Sequence, residues 1–143
     1  MKLVDVNVLL YAVNEAEPRH VPARSWLDRS LSSPQTVGFA WIVLLAFLRP
    51  STKVGLFPRP LSVGSAIGTV RAWVGDGPGI IVEPTPRHLD VLAGLLGPAG
   101  AGGNLTSDAH LAALAVEHDA TVVTYDSDFH RYAGVRWTEP RLG

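Results

Sequence analysis

The chain has 143 residues, of which 47% are hydrophobic, and a formal net charge of −1 at pH 7. This length and apolar content suit one domain with a real core, and we expect a single domain over residues 1–143. The charge gives no global attraction to nucleic acid, and the absence of cysteine excludes disulfides, thiol nucleophiles and cysteine-ligated metal sites. No secretion signal and no apolar stretch of membrane-spanning length is visible, so a cytoplasmic location away from membranes is expected.

Predicted strands and helices alternate along the chain. Short apolar runs predict strands at residues 2–5, 36–39, 79–84 and 121–124, with a short edge strand at 135–137. Helical periodicity predicts helices at residues 7–13, 20–31, 40–49, 61–74 and 87–96, and one that follows a cap at Thr106 or Ser107. This alternation indicates an α/β fold.

Proline and glycine set several of the predicted boundaries. The apolar helix from residue 40 is expected to stop at Pro50, and the segments 51–60 and 97–103 are predicted to be a loop and a flexible stretch. The predicted core faces of the second and fourth helices include Val21 and Val63, respectively. The helix at 40–49 is apolar on all sides, which is typical of a core or interface helix.

Aspartates stand where predicted elements end or begin. Asp5 closes the first strand, Asp108 opens a late helix, and Asp126 and Asp128 follow the strand at 121–124. In an open α/β sheet these points share one edge, where ligands bind. Carboxylates about 4 Å apart repel each other by roughly 4 kcal/mol per pair at an effective dielectric near 20. A divalent cation relieves this repulsion, and oxygen-only ligands favour Mg²⁺ or Mn²⁺, which indicates metal-dependent cleavage of nucleic acid.

Simpler structural roles exist for most of these residues. Asp108 would also suit the positive end of a helix dipole, and Asp126 and Asp128 could shape a turn. Asp5 is harder to explain structurally, because a carboxylate after a buried strand loses solvation. Asn7 could orient Asp5 or cap a helix. Asn104 could contact the substrate or serve as a cap. His110 is expected to be a packing residue rather than a base.

The sequence resembles the PIN domains, and in particular the VapC-type toxins of bacterial toxin–antitoxin pairs. The resemblance rests on LVDVNVLLYA, TSDAHLAALAVEHDA and TVVTYDSDFHRYAGVRWTEP, which follow one another in the family's order. It implies a three-layer α/β/α fold around a mostly parallel sheet and a Mg²⁺- or Mn²⁺-dependent endoribonuclease. It also implies a homodimer and inhibition by a small VapB-type antitoxin. Asp5, Asp108 and Asp126 would hold the metal or its water, and Asp128 would support them.

The chain departs from the family pattern at one position. PIN domains usually carry a second acid on the helix after the second strand, where this sequence has Ala46. Glu15, Glu17 and Glu83 are possible substitutes, although none is in the usual place. Ala46 is expected either to mark a vacated ligand position or to face the packed core.

Two rival functions belong to other classes. If the missing acid disables metal binding, the chain would act as a non-catalytic module that binds RNA or the antitoxin. An aspartate-nucleophile phosphatase would need a second acid two residues after Asp5, and Asn7 occupies that place. For an RNA substrate, Arg49, Lys53 and Arg59 could line the path, although solvated surface charge is the more usual role of any one of them.

Overall fold

A computed structural model of the chain describes residues 1–75, 77–99 and 105–141. The strands are β1 Lys2–Val4, β2 Val37–Ala40, β3 Gly79–Val82, β4 Thr121–Val123 and β5 Trp137–Thr138. The α-helices are α1 Val6–Val13, α2 His20–Leu31, α3 Trp41–Ser51, α4 Val63–Trp73, α5 His88–Ala99 and α6 Leu105–Glu117, and a 3₁₀ turn covers Ser127–Arg131. The predicted alternation of strands and helices is therefore confirmed.

The five strands form one sheet in the order β3-β2-β1-β4-β5, and every pairing is parallel. Because parallel crossovers are right-handed, connections that run in opposite directions across the sheet place their helices on opposite faces. Helices α1 to α4 lie in the connections between β1 and β3, and α5 and α6 lie between β3 and β4. The fold is the three-layer α/β/α arrangement, with a sheet that is wholly parallel.

The core lies between the sheet and its two helix layers. Leu3 and Val4 of β1 have no exposed surface, and neither do Val122 and Val123 of β4. Strands that are buried on both faces carry continuous apolar runs, and for this reason β1 and β4 could be predicted from the sequence. No helix among the described residues is both long enough and apolar enough to span a bilayer.

Two predicted helix ends were wrong. Helix α3 continues through Pro50 to Ser51, and α5 continues through Gly97 and Pro98 to Ala99, into the segment predicted to be flexible. Each of these prolines lacks the N–H that would donate to the carbonyl four residues earlier, so each helix loses one backbone hydrogen bond within its last turn. In α3 the hydroxyl of Thr52 donates to the carbonyl of Leu48 at 2.7 Å and helps to close the helix end. Residues 100–103 lie outside the described part of the chain.

The start of α6 and two core assignments also differ from prediction. Helix α6 begins at Leu105, so Thr106 and Ser107 lie inside its first turn and do not cap it. Val21 is 67% exposed and Val63 is 69% exposed. The buried stripe of α2 runs from Ala23 through Trp26 and Leu27, and Val21 does not share the three- and four-residue spacing of that stripe. Val63 has the spacing but lies in the first turn of α4, beyond the core.

Candidate active site

The register between β1 and β4 positions the first aspartate. Val4 pairs with Val123, and the backbone N–H of Asp5 donates to the carbonyl of Val123 at 3.0 Å. Asp5 therefore lies beside Thr124 at the carboxyl end of two neighbouring strands. This is the sheet edge at which α/β proteins bind ligands.

The Asp5 side chain is buried and fixed by three donors. Its Oδ1 accepts from the backbone N–H of Val6 at 2.7 Å, and its Oδ2 accepts from the Thr124 hydroxyl at 2.8 Å and the Asn7 amide at 3.2 Å. Burial raises the pKa of Asp5, and these hydrogen bonds oppose that rise. The carboxylate is held in one orientation before any ligand arrives.

Thr124 connects this network to the segment after β4. Its side chain is completely buried, and its Oγ1 accepts from the Asn7 amide at 3.0 Å and from the backbone N–H of Asp126 at 3.0 Å. The sequence analysis missed this residue. The available signal was a hydroxyl residue that ends an otherwise aliphatic strand directly before two predicted site aspartates.

Asn7 orients Asp5, which was one of its two predicted roles. Besides donating to Asp5 and Thr124, it accepts from the backbone N–H of Tyr125 at 3.0 Å through its Oδ1. Every polar atom of its side chain is thus engaged in the network. An amide in this position cannot act as the second acid of an aspartate-nucleophile phosphatase, so the structure does not favour that alternative.

Asp108 and Asp126 are near enough to Asp5 for their charges to interact with it, and Asp128 acts on Asp108. Asp108 lies in the first turn of α6. Burial and the charges of Asp5, Asp126 and Asp128 together raise the pKa of Asp108 to about 6, with the charge of Arg131 opposing them. The four predicted aspartates therefore interact electrostatically at one edge of the sheet. Asp126 also has the predicted turn-shaping role, since its Oδ1 accepts from the backbone N–H of Asp128 at 2.9 Å.

The donor set suits a hard cation, although the side chains are not arranged as a finished metal site. Within the described ranges, no three His, Asp or Glu side chains lie in positions that could hold a metal ion as they stand. A divalent cation would nevertheless stabilise the charged form of carboxylates that raise one another's pKa. Because Mg²⁺ keeps several waters and uses few protein ligands, it requires less convergence than a closed cage does.

The position of the missing family acid is at the surface. Ala46 is exposed, so the expectation that it faces the packed core is wrong. The predicted substitutes Glu15, Glu17 and Glu83 are absent from the charges that shift the pKa of Asp5 or Asp108. Whether Ala46 marks a vacated ligand position stays a prediction.

His110 belongs to a polar chain between α5 and α6. The His88 Nε2 lies 2.9 Å from the His110 Nδ1, and the His88 Nδ1 lies 2.5 Å from a carboxylate oxygen of Glu117. Thr85 donates to the other Glu117 oxygen through its backbone N–H at 2.9 Å. This packing role for His110 is the one expected from sequence.

Arg131, which the sequence analysis did not single out, is the basic residue whose charge acts on Asp108. Arg49, Lys53 and Arg59 are all exposed, and none of them is among the charges acting on Asp5 or Asp108. Arg19, which the sequence analysis missed, lies over the ring of Tyr125 at 4.9 Å from its centroid. No local sequence pattern links these two residues. Asn104 lies outside the described part of the chain.

Comparison with known proteins agrees with this architecture. The PIN domain family matches residues 2–135. The chain belongs to the PIN domain family. Within that family it is similar to ribonuclease VapC37 of Mycobacterium tuberculosis, with 57% identity over 98% of this chain and 97% of the relative. It is also similar to ribonuclease VapC33 of the same species, with 36% identity over 98% of each chain.

Solved PIN-domain structures have the same fold. VapBC2 from Rickettsia felis, crystallised with a DNA fragment from its promoter, superposes with a TM-score of 0.70 at 17% identity, covering 96% of this chain and 97% of that one. M. tuberculosis VapC20, described as a toxin that cleaves the sarcin-ricin loop, superposes with a TM-score of 0.69 at 16% identity, covering 95% of this chain and 99% of that one. At these identities the likeness extends to the fold alone.

Proposed function

We propose that this PIN-domain chain is a VapC-type endoribonuclease toxin that hydrolyses RNA phosphodiester bonds with a divalent metal, Mg²⁺ or Mn²⁺. The observation that carries the proposal is the cluster of Asp5, Asp108, Asp126 and Asp128, in which burial and the three neighbouring carboxylates raise the pKa of Asp108. The identity to ribonuclease VapC37 supports the ribonuclease activity. The metal dependence rests on the carboxylate cluster.

The residues have distinct roles in this proposal. Asp5, Asp108 and Asp126 would hold the metal, and Asp128 would add negative charge beside them. When bound, Mg²⁺ or Mn²⁺ would polarise the scissile phosphate and lower the pKa of a coordinated water. Asp5 would be the fixed ligand, because three hydrogen bonds hold its side chain. Asp108 is half-buried and would complete the site by moving toward Asp5.

A small VapB-type antitoxin is the proposed regulator. VapC-type proteins form toxin–antitoxin pairs, and a neighbour in fold is a VapBC assembly. An antitoxin segment that covers the acidic edge would block access of RNA to all four carboxylates at once. In the cleavage assay described below, addition of the cognate antitoxin should suppress activity, and undiminished cleavage at saturating antitoxin would contradict this role.

A homodimer is also proposed. Trp41 and Leu45 are 49% and 59% exposed, respectively, and lie one turn apart on α3. Side chains four residues apart share one helix face, so these two form an apolar surface that another protein chain could cover. The second copy of this chain is the proposed occupant.

The cleavage mechanism can be tested with isosteric substitutions. Asp5→Asn and Asp108→Asn each remove a charge while keeping the side-chain volume, and both should reduce Mg²⁺-dependent RNA cleavage to background. Asp90→Asn is a matched control, because Asp90 is also in a first helical turn, on α5, and is exposed. Retained metal-dependent cleavage in either site variant would refute the assignment.

The non-catalytic alternative has one observation in its favour, namely the absence of an acid at Ala46. It predicts that the unsubstituted protein binds RNA but does not cleave it at any Mg²⁺ or Mn²⁺ concentration. Calorimetric titration with Mn²⁺ separates the two functions further, since the nuclease requires metal binding that Asp108→Asn weakens.

A further inference from the structure

Arg19 is held on an aromatic stack whose Tyr125 directly precedes Asp126 of the acidic cluster. Its guanidinium carbon lies 4.9 Å from the centroid of the Tyr125 ring, and the rings of Tyr125 and Tyr11 pack with centroids 5.4 Å apart. Arg19 itself is exposed and immediately precedes α2. A cation–π contact of this kind fixes the guanidinium while leaving its N–H donors free for another partner.

Tyr125 is anchored to the candidate active site. It lies between Thr124 and Asp126 in the chain, and its backbone N–H donates to Asn7 at 3.0 Å. Its phenol oxygen is buried and has no hydrogen-bond partner in the described part of the protein. A buried hydroxyl without a partner is costly, so hydrogen bonding does not account for the placement of this ring. Packing of the ring against Tyr11 and its contact with the Arg19 guanidinium account for it.

Arg19 differs from three other arginines in having no ion pair among the described residues. Arg24, Arg131 and Arg136 each lie within 4.0 Å of an aspartate oxygen. Among the described residues Arg19 has no such ion pair, although Glu139 is near enough for its charge to act on Tyr125. An exposed arginine that lies over Tyr125 and has no ion pair in the described part of the chain is available to bind an anion.

An RNA substrate needs such a cation at this place. The four aspartates repel the phosphate backbone on both sides of the scissile bond, and the net charge of −1 offers no compensating attraction. Arg19 lies over the ring of Tyr125, the residue that directly precedes Asp126. A planar guanidinium can donate two hydrogen bonds to one phosphate.

We propose that Arg19, supported by Tyr125, binds the phosphate of a single-stranded RNA nucleotide that flanks the scissile bond. This inference rests on the proposed ribonuclease function, because it assigns the substrate contact of the same site. Arg19 would contribute affinity and substrate position, and it would take no part in bond breaking.

Binding can be measured without cleavage. In the Asp108→Asn background with chelator present, a fluorescein-labelled single-stranded RNA of mixed sequence is titrated by fluorescence anisotropy. Arg19→Ala should weaken binding about tenfold, and the slope of log Kd against log salt concentration should fall by about 0.7, the value for one phosphate contact on a single strand. Arg24→Ala is the matched control, since it removes the same charge from α2 and should leave both quantities unchanged.

Further outcomes decide between a contact and a structural effect. Arg19→Lys restores the positive charge and should restore the salt slope. The proposal would be overturned if Arg19→Ala bound RNA as well as its parent did, or if Arg24→Ala lost binding to the same extent. It would also be overturned if Arg19→Lys failed to restore the slope, or if the parent bound no RNA. If the unsubstituted protein fails to cleave RNA while Arg19→Ala still shows the specific loss of binding, the ribonuclease function fails and the Arg19 contact stands.

Discussion

Replacement of Thr124 by valine tests whether the buried hydroxyl organises the acidic edge. The change keeps the shape of the side chain and removes its hydrogen-bonding group. In the structure this hydroxyl donates to Asp5 at 2.8 Å and accepts from the Asn7 amide and the Asp126 backbone N–H, each at 3.0 Å. Thr124→Val should therefore destabilise the protein and lower its cleavage activity.

The expected loss of stability follows from the groups left behind. A hydrogen bond to a charged group contributes about 1.5–3 kcal/mol, and each buried donor left without its acceptor costs at least about 1 kcal/mol. Burial of the added methyl group offsets roughly 0.8 kcal/mol of this. Asn7 retains its contact with Asp5, so its share of the cost is small. The net decrease in the free energy of unfolding should be about 2–4 kcal/mol.

The effect should also depend on pH. Burial raises the pKa of Asp5 and the Thr124 hydrogen bond opposes that rise, so loss of the bond raises the pKa further. A raised carboxylate pKa lowers stability once the unfolded chain ionises, which begins near the ordinary value of 3.8. Below that pH the carboxyl is protonated in both states. The difference between Thr124→Val and its parent should therefore grow as the pH rises from 3.8 toward neutrality.

Urea unfolding at several pH values measures the free energy of unfolding of the parent and of Thr124→Val, and Thr124→Ser is the comparison. Serine keeps the hydroxyl and loses one methyl group, so it reports the packing contribution alone. Thr124→Ser should retain most of the cleavage activity, and Thr124→Val should not. Equal stability of the two variants at neutral pH would refute the argument, because the hydroxyl would then contribute nothing beyond its volume.

Two further predictions concern charge and assembly. Burial and the neighbouring carboxylates raise the pKa of Asp108 to about 6. The metal-free protein should therefore lose stability as the pH rises from 3.8 to about 6, because the unfolded chain ionises Asp108 more readily than the folded protein does. Asp108→Asn should therefore raise the melting temperature of metal-free protein at pH 8 and leave it unchanged below pH 3.8; the same shift at both pH values would count against this. For the homodimer, light scattering at micromolar concentration should give twice the monomer mass for the parent and the monomer mass for Leu45→Glu. A monomeric parent would disprove it.

The order of the elements and the placement of the four aspartates could be predicted from the sequence. Strands buried on both faces carry uninterrupted apolar runs, and the amphipathic pattern of α2 marks its limits at His20 and Leu31. Asp5 and Asp126 follow such strands, so the geometry of a parallel sheet brings them to one edge wherever the strands lie in it. These inferences depend on local sequence and on the general topology of α/β proteins.

Other features depended on contacts between distant parts of the chain. Thr124 reaches Asp5 across 119 residues, and only the register of β1 against β4 determines that the two face each other. The stack of Arg19 on Tyr125 likewise joins the segment before α2 to the segment after β4. Helix α3 ends at Ser51, which is buried and whose carbonyl accepts from the backbone N–H of Leu61 at 2.8 Å. Local propensity cannot encode such features, since each is fixed by the partner that the fold brings to the residue.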